Sequence, residues 1–123
     1  MKFLDSCSGF SYALFRITTG FLFLCHGTQK LFSFPVAFPY SLNTMSTSAA
    51  VIELVAGSLI VVGFYSRYAA FIASGTMAVA YWMFHGLNQP FPIANGGEIS
   101  ALYCFAFFYI ATKGPGAFSI NKK

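Results

Sequence analysis

Charged residues are scarce in this sequence. Lysine, arginine, aspartate and glutamate make up 8% of its 123 residues, and the acids are three: Asp5, Glu53 and Glu98. A soluble domain is roughly one quarter charged, so this scarcity excludes a core wrapped in a solvated shell. Basic runs are also lacking. The net charge of +4 is scattered along the chain, which excludes a nucleic-acid-binding arm or patch. Cysteine pairing is missing too. Cys7, Cys25 and Cys104 are far apart with no CxxC, so there is no disulfide framework. Cys25 and Cys104 lie in apolar stretches, where a small hydrophobic role is the default. The sequence has no HxxxH or ExxH spacing, no haem motif and no flavin or nicotinamide fingerprint, so no metal site is expected.

What is present is hydrocarbon. The chain is 57% apolar and 20% aromatic, with sixteen phenylalanines, and its mean hydropathy is +0.67. These values predict an all-α integral membrane protein with a single membrane domain over residues 1–123.

The stretch that organises the chain is Phe10 to Leu31, long enough as a helix to cross a hydrocarbon core of ~30 Å. It carries Arg16 early and His26 and Lys30 late. A charge in hydrocarbon costs at least ~2.5 kcal/mol unless it snorkels or finds a partner. At about 100° per residue, Lys30 falls about 40° and His26 about 80° from Arg16, with Gly20 and Gly27 on or beside the same arc. Polar and small residues therefore share a face that points into a bundle. The run is too long and too polar for a cleavable signal, and no small-x-small site follows it, so a retained first span is expected.

Pro35 and Pro39 interrupt any long helix in the greasy segment Ser33 to Ser48, which is expected to cap the bundle near the interface. Thr47 or Ser48 is the expected helix cap. A second apolar segment, 47–64, holds Glu53 one turn in and Gly57 on the same face. The turn Tyr65-Ser66-Arg67 leads to a third, 68–84, where Ala70, Ser74 and Ala78 recur every four residues and permit close helix contact. The loop His85 to Gly97 includes Asn88, Gln89 and Asn95. Glu98 opens a fourth segment, 98–112, which Gly114-Pro115-Gly116 stops.

Four spans make a four-helix membrane bundle with both termini on one side. Lys2, Arg67, Lys113, Lys122 and Lys123 lie at the ends or in the 65–67 turn, which predicts cytoplasmic N and C termini. His26, Lys30, Glu53, His85 and Glu98 then converge on the outer end, from all four spans, with Asn95 in the loop above them. Arg16 lies toward the cytoplasmic half and either lines the cavity from below or snorkels to the interface. This outer pocket is the candidate site. Arg16, His26, Lys30, Glu53, His85, Asn95 and Glu98 are its candidate substrate-binding residues, and His26, Glu53 and Glu98 its candidate catalytic groups. Blander readings stand beside these. Lys30 and Glu53 pair across adjacent helices, Glu98 is a first-turn charge, the histidines are interface residues, and Tyr81 and Trp82 belong to an aromatic belt.

An aromatic pocket with histidine and carboxylate at its wall suits a quinone-like ring. Histidine donates to a quinone oxygen and exchanges protons near pH 7, and carboxylates relay them. The expected function is a membrane subunit associated with an oxidoreductase system, with quinone or a small redox substrate as ligand. The alternatives are a non-catalytic structural or assembly subunit and a small-molecule carrier. The expected partners are the lipid bilayer, a soluble or membrane oxidoreductase and a second copy of the chain.

An ordered set of residues carries a resemblance. It comprises Arg16-x-x-x-Gly20, His26-Gly27-x-x-Lys30-Leu31, Glu53-x-x-x-Gly57, Gly63, Arg67, Asn95-Gly96-Gly97-Glu98, Gly114-Pro115-Gly116 and Ser119-Ile120-Asn121. With it the chain resembles the DoxX family of small four-span membrane proteins, from about Ser11 to Asn121. The resemblance implies a four-helix bundle, probed first at Arg16, His26, Lys30, Glu53, Asn95 and Glu98. It also implies an association with oxidoreductase systems, since the related DoxD proteins are linked to thiosulfate oxidation with electron delivery to quinone. The expected location is a bacterial cytoplasmic (inner) membrane. The absence of paired cysteines argues against a stand-alone thiol oxidoreductase.

Overall fold

The computed structural model describes residues 1–86 and 89–123. Among these, the regular structure is entirely helical. A short α1 (Lys2–Ser6) leads into α2 (Ser8–Phe32), followed by α3 (Thr44–Val62), α4 (Ser66–Tyr81), a π-helical turn (Trp82–Gly86), the single turn α5 (Pro92–Asn95) and α6 (Glu98–Lys113). The four long helices form an up-and-down bundle.

The helix ends follow from local chemistry. α3 is capped by Asn43, not by Thr47 or Ser48 as the sequence suggests. The Asn43 side chain accepts from the Ser46 amide at 2.9 Å, and Ser46 Oγ accepts from the Asn43 amide at 3.1 Å. This reciprocal box satisfies two donors that a later start would leave to a single hydroxyl. Ser48 then lies inside the helix and donates to the Thr44 carbonyl. α3 ends at Gly63, whose φ of 71° lies in the left-handed region.

α2 and α3 are each long and apolar enough to cross a membrane. α4 and α6 have 16 residues each, a rise of about 24 Å, and the π-turn carries α4 on to Gly86. α2 packs most intimately on α3, and α4 on α6. Glycine sets the first pairing. A Cβ on Gly57 would lie 2.8 Å from the Leu24 amide nitrogen, and one on Gly27 would lie 2.8 Å from that of Leu54, so the two backbones touch. In the second pair Ala69, Ala70, Ala73 and Ser74 are buried, and Ser74 Oγ donates to the Cys104 carbonyl at 2.7 Å. The Phe23 and Phe107 rings, with centroids 4.7 Å apart, fill the wider seam between α2 and α6.

The exterior is greasy. Phe21, Leu22, Phe71, Ile72, Phe105 and Phe108 are all exposed, which is the surface expected of a bundle solvated by hydrocarbon.

Candidate functional site

Two polar centres mark the two ends of the α2–α3 pair. The first is an ion pair. Gly27 holds α2 against α3 one turn before Lys30, so the Lys30 ammonium meets Glu53 head-on. It donates to both carboxylate oxygens, at 2.9 and 3.1 Å. Glu53 is 3% exposed and the Lys30 side chain 16%. The first loop covers them. Thr28 Oγ1 donates to the Phe34 carbonyl at 2.9 Å, and the Phe38 ring lies 5.8 Å from Lys30 Nζ, within cation–π range.

One turn back along α2, His26 is exposed on the flank of the bundle. Its ring stands edge-on to Tyr103 of α6, with centroids 5.9 Å apart and an interplanar angle of 88°. Tyr103 stacks in turn on Phe107 at 5.5 Å and 12°. Three helices thus bring an imidazole, a phenol and a buried ion pair together. Tyr103 was not singled out from the sequence, although Tyr103 and Phe107, four residues apart, announce an aromatic stripe on one helical face.

His85 and Asn95 belong to a separate network. The Asn95 amide donates to Tyr81 Oη at 3.0 Å and to the Gln89 carbonyl at 2.6 Å, and its Oδ1 accepts from the Gly97 amide at 2.7 Å. Tyr81 donates to the Pro90 carbonyl at 2.5 Å. His85 Nδ1 lies 3.1 Å from the Asn95 carbonyl oxygen, so this nitrogen carries the proton. The network folds the second loop onto the start of α6; Asn88 lies outside the described residues. Glu98 is exposed at the first position of α6 and, with Pro92, Ile99, Leu102 and Phe105, borders a shallow groove. Among the described residues, no hydrogen bond or ion pair joins Glu98, His85 or Asn95 to the His26–Lys30–Glu53 group.

Arg16 forms the second centre, about 21 Å from Lys30 along the axis of α2 at ~1.5 Å per residue. It neither snorkels nor lines a cavity; it is 0% exposed. Nε donates to the Ile60 carbonyl at 3.0 Å and Nη2 to those of Val61, at 3.3 Å, and Phe118, at 2.8 Å. Nη1 donates to the carbonyls of Pro115 and, at 2.8 Å, Ala117. All five guanidinium donors are thereby used, and none is left for a substrate. Two of the acceptors are open carbonyls in the last turn of α3, the negative end of that helix. The other three belong to the C-terminal tail, which crosses where a Gly63 Cβ would project against Ser119. Backbone bonds from Ile120 to Val62 and from Asn121 to Gly63 fasten the tail. Arg67 repeats the device on α6, donating to the Ala111, Thr112 and Lys113 carbonyls.

No group of three or more His, Cys, Asp or Glu side chains that could hold a metal is present among the described residues.

A helical bundle with an apolar exterior and charges buried between its helices is the architecture of an integral membrane protein. The chain belongs to the DoxX family, a membrane family whose model matches residues 11–86. It is also 37% identical over 130 aligned residues to a Haemophilus influenzae Rd protein described as an uncharacterized protein, an alignment that covers 100% of this chain and 97% of the relative. No solved structure matches.

Proposed function

We propose that this protein is a membrane subunit of an oxidoreductase system, which binds a quinone or a similarly small redox substrate beside His26 and Tyr103. The observation that carries this reading is the exposed His26 imidazole, set edge-on to a phenol with the buried Lys30–Glu53 pair close by. An imidazole on the flank of a membrane helix is reachable by a molecule dissolved in lipid. It can donate to a carbonyl oxygen of the ring and replace its proton from water near pH 7. Reduction of a quinone takes two electrons and two protons. The partner oxidoreductase supplies the electrons, and the His26 side of the bundle delivers the protons. Membership of the DoxX family supports the reading, since the family is associated with such systems.

In this reading the four long helices all span a bacterial inner membrane. Lys2, Arg67, Lys113, Lys122 and Lys123 put both termini in the cytoplasm, and His26 lies toward the outer face. Native mass spectrometry and lipid extraction of the protein in nanodiscs test the proposal. A stoichiometric quinone is expected, lost in His26→Ala and weakened in Tyr103→Phe. Unchanged quinone binding and redox activity in both variants would overturn it.

The saturation of Arg16 and the pairing of Lys30 favour a second reading, a structural or assembly subunit whose buried charges fix its shape for a partner. An apo-protein that co-purifies with a soluble oxidoreductase, whatever residue occupies position 26, is the outcome that selects it.

A further inference from the structure

At the Arg16 end, a groove of about 640 Å³ lies among α2, α6 and the C-terminal tail, open to the outside of the bundle. Its floor is aromatic. Tyr109 packs in T-shaped contacts on Tyr12 and Phe15, with ring centroids 5.8 and 6.2 Å apart. The Tyr12 hydroxyl is committed to the Gly114 carbonyl at 2.6 Å, which locks that ring as a wall. The rim is polar. Ser8 and Ser11 lie on one side and Lys113 on the other. The Lys113 ammonium sits 5.4 Å above the Tyr12 ring, so the cation–π contact holds it at the mouth of the groove. Among the described residues no carboxylate pairs with Lys113, and neither its ammonium nor the Ser8 hydroxyl donates a hydrogen bond to protein.

We propose that this groove binds an anionic phospholipid, with its phosphate on Lys113 and the Ser8 hydroxyl and an acyl chain along Phe15 and Tyr109. Two features select that occupant. The groove joins an apolar trough to a cationic mouth, matching the two halves of a lipid. Its surroundings are also positive. Lys2 and Lys122, from the two termini, lie at this end of the bundle, where Lys122 Nζ donates to the carbonyl of Gly116, a residue lining the groove, and Asp5 is the one acid in the two terminal segments. A zwitterionic headgroup brings an ammonium that Lys113 repels, so charge complementarity favours phosphatidylglycerol over phosphatidylcholine. The site is separate from His26, and the proposal stands independently of the redox reading.

The test is native mass spectrometry of the full chain in phosphatidylcholine nanodiscs titrated with phosphatidylglycerol, with helix content and thermal unfolding recorded for every variant. The wild type is expected to retain one phosphatidylglycerol in preference to phosphatidylcholine. Lys113→Gln should lower that retention about five-fold, and Lys113→Arg should keep it. Ser11→Trp, which fills the groove and leaves every charge in place, should expel the lipid. Lys123→Gln and His26→Ala should change nothing, because Lys123 sits over the Tyr65 ring, outside the groove. Equal retention of the two lipids, or undiminished retention by folded Lys113→Gln, would overturn the proposal. Displacement of the lipid by free glycerol phosphate would also overturn it, since the site would then read the headgroup alone.

Discussion

Arg16 and Lys30 stand on the same face of α2, and the bundle neutralises them in opposite ways. Lys30 meets an acid. The two side chains of the pair come from adjacent helices, 23 residues apart, and the contact ties α2 to α3 through side chains. Arg16 meets no acid. Backbone carbonyls from two segments surround it, 44 to 102 residues away, and the contact ties α2 to the end of α3 and to the tail together. The planar guanidinium suits the second task, because its five donors point in fixed and different directions, whereas an ammonium is a point charge. One end of the molecule is therefore sealed by the chain itself. The other is closed by a single ion pair with a loop above it and a histidine beside it.

The largest effect should come from breaking the sealed end. Arg16→Met leaves five carbonyls without donors and unfastens the tail. Hydrogen bonds to charged groups contribute about 1.5–3 kcal/mol each, so a loss of at least ~4 kcal/mol is expected in denaturant unfolding from micelles. Protease should then cut beyond Gly114 without global unfolding. Arg16→Lys should recover little of the loss, since three donors from one point cannot reach carbonyls on both segments. Full recovery by lysine would mean that charge, not the fork, holds this end.

The ion-pair end should break more cheaply and, unlike the sealed end, be repairable. Lys30→Met strands a carboxylate that is 3% exposed. Removing one partner of a buried pair costs about 3–5 kcal/mol, and the lower figure is expected because Lys30 retains some solvent contact. Lys30→Met with Glu53→Gln should regain part of the loss, because the stranded charge disappears with its partner. If the double variant is as unstable as the sum of the two single changes, the pair is not what couples α2 to α3.

The same contrast explains what the sequence reveals. The Lys30–Glu53 pair is legible because opposite charges at the ends of consecutive antiparallel spans announce each other. The Gly20–Gly27 stripe is legible because small residues recur on the face that carries the charges. The partners of Arg16 are not legible, since a carbonyl has no residue identity and the tail that supplies three of them is distant in sequence. Hydropathy assigns His26, His85 and Glu98 to the same end of the bundle, but height along a helix is not azimuth. His85 lies on the π-helical turn beyond α4, where its ring meets the Asn95 carbonyl, and Glu98 lies exposed at the first position of α6. The start of α3 was obscured by Ser46, Thr47 and Ser48, each an acceptable cap; only the reciprocal bonds of Asn43 and Ser46 separate them.

The smallest effects should sharpen the comparison by probing the helix contact on which both centres depend. A Cβ at position 27 would lie 2.8 Å from the Leu54 nitrogen and 2.9 Å from the Ala50 oxygen, both backbone atoms. Backbone yields only if the helices separate, so Gly27→Ala should cost about 2 kcal/mol. It should also lengthen the Lys30–Glu53 contact. At position 20, nearer Arg16, the closest neighbour is the Ile60 Cγ2 methyl at 2.9 Å, with the Gly57 oxygen at 3.1 Å. A side-chain methyl moves more readily than a helix backbone, so Gly20→Ala should cost about 1 kcal/mol. Unfolding of the two variants in the same detergent measures the difference. Position 27 should prove the more sensitive because its two nearest neighbours are backbone atoms. The reverse order would mean that the tail, in fastening α3, has made the Arg16 end the stiffer of the two.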